Sequence, residues 1–157
     1  MSKDQFAANI AAEGDSDGIR AILEDVCRIT QMGFAAVARV TDTRWIAAQV
    51  LDKIEFGLNP GDELELKTTI CDEIRQAGQT IVIDYVAGDP NWRTHHTPAL
   101  YGFESYVSIP LFLDDGSFYG TLCAIDPHPR ALSSPATVGA LERMAKRVAA
   151  ILSTASN

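Results

Sequence analysis

The chain has 157 residues, 46% of them hydrophobic, and a formal net charge of −8, enough to bury one core and too little to divide into two. That acidic balance excludes a nucleic-acid binder, which needs a basic footprint to neutralise phosphates, and it argues against an anionic membrane surface as partner. No stretch reaches the roughly 18–20 apolar residues of a membrane span, residues 1–17 lack an apolar signal core, and Cys27, Cys71 and Cys123 form no CxxC pair, so a reducing, cytoplasmic setting is expected.

Residues 1–16 are polar with alanine- and glycine-rich steps and are expected to fray as a flexible N-terminal segment. Asp15, Ser16 or Asp17 can cap a helix in which Ile19, Ile22, Leu23, Val26 and Ile29 recur at helical spacing, up to Gly33. Residues 34–40 and 45–51, rich in small and β-branched side chains, flank the polar turn 41–43 and read as an antiparallel hairpin. Residues 52–67 predict a loop with a short extended piece around Leu64 and Leu66. Thr68 and Thr69 can cap a second helix through Ile70, Cys71, Ile74 and Arg75, closed at Gly78. Residues 80–84 read as a short buried strand.

A long connection, 85–103, follows. It carries Gly88, Pro90, Pro98 and Gly102, and with them Trp92, His95, His96, Tyr101 and Phe103. A connection of that length is usually functional or mobile, and so many aromatic groups imply that it covers something. Residues 105–113 and 118–125 form a second hairpin about the turn 114–117; Pro110 marks a bulge or an edge, and Gly120 a close backbone approach. The last helix, over 134–153, carries Val138, Leu141, Ala145, Val148 and Leu152 at spacings of 3, 4, 3 and 4, a heptad-like stripe that predicts a helix–helix seam. Hairpin-joined strands with helices at both ends of the chain give an α/β (α+β) fold: a central antiparallel sheet with the terminal helices in one layer against it.

Among candidate site residues, Cys71 lies near a helix N-terminus, where the dipole lowers a thiol pKa, or else is a small core residue. Cys123 sits in an apolar strand and reads as core. His95 and His96 are adjacent and point apart, with no third ligand at zinc spacing; the choice is between one ligating histidine and a locally hydrogen-bonded pair. Trp92 and Tyr101 either stack on a planar ligand or pin the loop to the sheet. Asp84 either accepts from a ligand or caps the next turn, and Arg93 either pairs with an anion or is surface. There is no phosphate-cradling glycine loop, no GxSxG elbow and no HExxH.

The stretches 69–73, 79–84 and 88–92, then Gly102-Phe103 and 108–111, and above all Asp115-Gly-Ser-Phe-Tyr-Gly-Thr-Leu-Cys-Ala-Ile-Asp126, resemble GAF domains, with a flavour like that of bacterial sensor histidine kinases. The resemblance covers roughly residues 18–153 and implies one sensory domain over 17–153 with a short tail, 154–157. It implies a ligand pocket on the sheet face away from the terminal helices, with 85–103 as its lid. Cys71 would face the pocket from its helix, and Tyr106, Ser108 and Cys123 would line the floor. The implied activity is regulatory rather than enzymatic: a small-molecule sensor, homodimeric through its terminal helices, controlling an output such as a histidine kinase. The alternatives are a thiol-dependent reductase of the free methionine sulfoxide reductase type, a haem sensor using a lid histidine, or a ligand-free dimerisation module. The lid has no cysteine, which argues against a covalent bilin, and the cyclic-nucleotide motif Asn-Lys-Phe-Asp-Glu is missing. The cofactor is left unidentified.

Overall fold

The computed structural model describes residues 4–66, 69–70, 74 and 78–155. Helices α1 (Gln5–Gly14) and α2 (Asp17–Thr30) open the chain, capped by the side chains of Asp4 and Ser16. Strands β1 (Phe34–Val40) and β2 (Trp45–Asp52) form the first hairpin, followed by β3 (Glu63–Leu64) and β4 (Ile81–Ile83). A 3-10 turn (Val86–Gly88) and the short helix α3 (His96–Tyr101) lead to β5 (Ser105–Phe112), β6 (Phe118–Asp126) and the long helix α4 (Pro135–Ala155). The helix expected through Thr68, Cys71 and Arg75 falls mostly outside the described residues.

The strands make one antiparallel sheet in the order β3-β2-β1-β6-β5-β4. Alternation along each strand sends Ala35, Val37, Ile46, Ile109 and Leu122 to one face, where α1, α2 and α4 cover them. It sends Phe34, Trp45, Tyr106, Cys123 and Ile125 to the other, where they meet the lid and the segment after β2. Because both faces are buried, β1, β5 and β6 read as apolar runs with no polar alternation. Pro110 pairs with Thr121 of β6, but β4 stops opposite Ser108, so the missing Pro110 N–H breaks no ladder there. At Gly120 the backbone of β1 comes so close that a Cβ would lie 1.8 Å from the Ala38 carbonyl oxygen.

Three expectations are corrected. Residues expected to fray instead form α1, whose Ala7, Ile10 and Gly14 face the sheet. A Cβ on Gly14 would sit 2.2 Å from the Ala48 carbonyl oxygen, and the Gln49 amide donates to the Gly14 carbonyl. Close docking of small residues, absent from a propensity argument, holds the helix in place. The 3-4 stripe of α4 is no external seam, because Leu141, Ala145, Val148 and Leu152 are buried against α2 and the sheet of the same chain. Finally, the connection 85–103 is not all loop, since α3 occupies its last third. Pro98 falls in the first turn of α3, where no intrahelical N–H is needed.

Candidate functional site

Between the sheet and the lid lies a small apolar chamber of about 50 Å³. Its floor is Phe34, Trp45, Tyr106, Cys123 and Ile125 from β1, β2, β5 and β6. Thr97, Tyr101 and Phe103 come down from the lid. Phe56, Leu58, Leu64, Thr69 and Ile70 close the side beyond β2. Among the described residues no charged side chain lines the chamber. A groove of about 520 Å³ adjoins the chamber and shares with it Phe56, Leu58, Leu64, Tyr101, Phe103 and Ile125. Phe56 and Tyr101 stand 5.9 Å apart, ring to ring, and Phe56 lies 5.0 Å from Phe34, so the partition between chamber and groove is a row of tilted aromatic contacts.

The lid is held by its backbone. Nδ1 of His95 accepts from the Thr97 N–H and caps α3, and the Gly102 N–H donates to the Pro98 carbonyl at the other end. Thr97 and Tyr101, four residues apart, therefore share the helix face turned to the chamber. The Val86 N–H donates to the Glu104 carbonyl, and the Glu104 N–H to that of Asp126, which joins the lid to β6.

Phe56 is placed by Asp52. One carboxylate oxygen accepts from the Ile54 and Phe56 N–H groups at 3.1 and 3.0 Å, the other from Gly57 at 2.8 Å. Partial burial pushes the Asp52 carboxyl upward, but the N–H groups of Gly57, Phe56 and Ile54 outweigh it and leave the group below its ordinary value. A carboxyl with a depressed folded pKa contributes stability that is complete above the unfolded value of about 4 and is lost as the pH falls through the folded one. Asp52→Asn is expected to flatten the acid limb of a stability–pH curve between about pH 5 and 3. Equilibrium urea unfolding at stepped pH measures this, and an acid limb unchanged by the substitution contradicts the clamp.

The structure separates the residues singled out from sequence. Tyr101, Tyr106 and Cys123 are on the chamber wall. Ser108 is buried on the same sheet face, paired in register with Cys123 but outside the lining. Asp84 is elsewhere: its carboxylate accepts from the Leu132 N–H at 3.0 Å and the Ser133 hydroxyl at 2.7 Å, which ties the end of β4 to the segment ahead of α4. Trp92 packs on His95 with ring centroids 4.9 Å apart, and His95 and His96, expected to point apart, instead stack at 4.4 Å; Trp92 is half-buried against the core on this sheet face, His96 is exposed, and none of the three is on the chamber wall. Cys71 lies outside the described residues. Cys27 is on the buried face of α2, where burial pushes its thiol pKa up and keeps it unreactive. The wall residues that sequence reasoning passed over include Thr97 and, each indistinguishable in a strand or loop from ordinary core, Phe34, Trp45, Phe56, Leu58, Leu64 and Ile125. Among the described residues no group of three His, Cys, Asp or Glu side chains is placed to hold a metal ion, and no helix is long and apolar enough to cross a membrane.

The family model for the GAF domain matches residues 17–152. No curated protein sequence matches the chain. Among solved structures, it is similar to the GAF domain of an Acinetobacter phosphoenolpyruvate-protein phosphotransferase (13% identity, 99% of this chain and 97% of that one, TM-score 0.69). It is also similar to the GAF domain of a two-component sensor histidine kinase from Bacillus halodurans (14% identity, 89% and 94% covered, TM-score 0.68). A third likeness is to a type II free methionine-R-sulfoxide reductase from Thermoplasma acidophilum (11% identity, 91% and 94% covered, TM-score 0.66). At such identities the shared property is the fold.

Proposed function

The chain belongs to the GAF domain family, and from that premise we propose that it is a regulatory domain that takes a small molecule into the chamber and reports its presence through the terminal helices. The observation that carries this is the apolar space between sheet and lid, on the face opposite α1, α2 and α4. At about 50 Å³ the chamber is smaller than the space on the order of 150 Å³ that accommodates benzene. A ligand of metabolite size must therefore push aside the Phe56–Tyr101 partition and extend into the groove. Ligand affinity is then tied to the position of the lid. The lid starts beside Asp84, whose carboxylate holds residues 132 and 133 just before α4, so its movement has a short route to the last helix. The output would be a signalling module in the cytoplasm, such as a histidine kinase, in keeping with the fold likeness to the Bacillus halodurans domain. A homodimer through the terminal helices would use their outward residues, such as the exposed Ile29, because the α4 stripe is internal.

A thiol-dependent reductase is the second reading, favoured by Cys123 on the chamber wall. The described part of the lining, which carries no charged side chain, speaks against it, since a free amino acid carries an ammonium and a carboxylate that need partners. Native mass spectrometry of the purified chain, with an absorption spectrum, tests the sensory reading. The expected result is a retained small molecule, released on denaturation, whose return at a hundredfold excess over Kd adds about 2.7 kcal/mol of stability. No retained species and no stabilisation by any member of a metabolite panel contradicts it.

A further inference from the structure

Trp45, the first residue of β2, is 3% exposed and forms part of the chamber floor. Its indole Nε1–H is the one buried side-chain polar group with no hydrogen-bond partner among the described residues. Buried tryptophans normally satisfy that donor, because leaving it unmade costs its full desolvation. The chamber supplies little to satisfy it. No described wall group brings an acceptor within hydrogen-bonding reach of it: the Thr69 hydroxyl is turned to the Leu66 carbonyl, and Thr97, Tyr101, Tyr106 and Cys123 are engaged in interactions of their own. A water there would receive one hydrogen bond and find few partners for its others, a poor site for water. An acceptor attached to an apolar body fits better: it satisfies the donor and brings no further polar demand.

Charge narrows the class. An ionised ligand group would find no charged side chain among the described residues of the chamber wall. Anions also meet the exposed carboxylate of Glu55 on the rim of the adjoining groove and a chain of net charge −8. Resting on the ligand-binding reading above, we propose that the chamber takes a small uncharged ligand of the ketone or ester class, whose carbonyl oxygen accepts from Trp45 Nε1–H. Its apolar remainder lies along Phe56 and Tyr101 toward the groove.

Three probes of matched size test this on the intact chain: acetophenone, ethylbenzene (the same shape without the acceptor) and benzoate (the same shape, charged). By calorimetric titration acetophenone is expected to bind about tenfold more tightly than ethylbenzene, the worth of one net hydrogen bond. Benzoate is expected not to bind. Trp45→Phe is expected to abolish the advantage of acetophenone over ethylbenzene, whatever the smaller ring does to the binding of both. Should that variant fail to fold, the wild-type chain gives the same answer by NMR. With two tryptophans in the sequence, the Trp45 indole N–H resonance should move downfield with acetophenone and not with ethylbenzene. Benzoate binding as tightly as acetophenone, an advantage over ethylbenzene that survives Trp45→Phe, an unmoved indole resonance, or no acetophenone binding overturns the proposal. A charged molecule found retained by native mass spectrometry would overturn this inference and leave the sensory reading standing; no binding of anything removes both.

Discussion

Gly120→Val is expected to be the most damaging single substitution in the sheet. The first added carbon would lie 1.8 Å from the Ala38 carbonyl oxygen and 2.9 Å from the Val40 nitrogen. Both are backbone atoms of β1, so no side-chain rotation relieves the clash. Either β1 and β6 part, or β6 shifts in register and reverses the facing of Tyr119, Leu122 and Cys123. Overpacking usually costs about 1–3 kcal/mol, and with rigid neighbours the expected loss is about 3 kcal/mol or more. For a chain of this size that is a fall in Tm of about 6–12 °C, at roughly 2–4 °C per kcal/mol. Gly116→Ala supplies the contrast. That residue sits in the β5–β6 turn at φ 86° with nothing within 4 Å of an added Cβ. Its cost is conformational only, about 1–2 kcal/mol. Calorimetric melting of both variants separates the two effects, and equal losses would show that the close approach at Gly120 is not what the strand pair depends on.

Asp126→Ala comes next in expected size. One carboxylate oxygen accepts from the Gly33 N–H at 2.9 Å; the other accepts from the His128 N–H at 2.9 Å and lies 3.2 Å from Arg130 Nη2. The carboxylate is 4% exposed. It joins the start of β1 to the end of β6 and turns the chain toward α4, while Arg130 reaches on to the Gln31 carbonyl. Alanine leaves the Gly33 N–H unsatisfied and removes the counter-charge from Arg130, for an expected loss of about 2–3 kcal/mol. Because Gly33 precedes Phe34 of the chamber floor, the same change should loosen the chamber. Asp126→Asn keeps an oxygen for Gly33 and should lose less. Urea unfolding measures both, and an alanine variant as stable as wild type contradicts the tie.

Much of the scaffold could be read from residue order. The two hairpins, the α2 pattern and the tight spot at Gly120 each follow from a local rule: period two, period 3.6, and the absence of a Cβ. The site was less legible. Tyr106 and Cys123 drew notice through a resemblance, but Phe34 and Trp45 did not, because strands buried on both faces give no polar alternation to mark which face holds a cavity. His95 and His96 attracted attention as chemistry, yet His95 serves as a helix cap, a role that depends on a short helix which Pro98 conceals from a breaker-based reading. In α1, Ala7, Ile10 and Gly14 lie on one helical face, but small residues read as flexibility unless their docking surface is known. The α4 stripe has the same 3-4 spacing whether its partner is a second chain or its own sheet, so periodicity located the apolar face without naming what covers it.

An apolar space able to accept a guest lies between the sheet and the aromatic lid. Xenon, which enters dry apolar cavities without needing a hydrogen bond, probes that space directly in a pressurised crystal. A xenon site bounded by Phe34, Trp45, Tyr106 and Cys123 is expected. A crystal in which Tyr101 or Phe56 fills that volume and excludes xenon would contradict it.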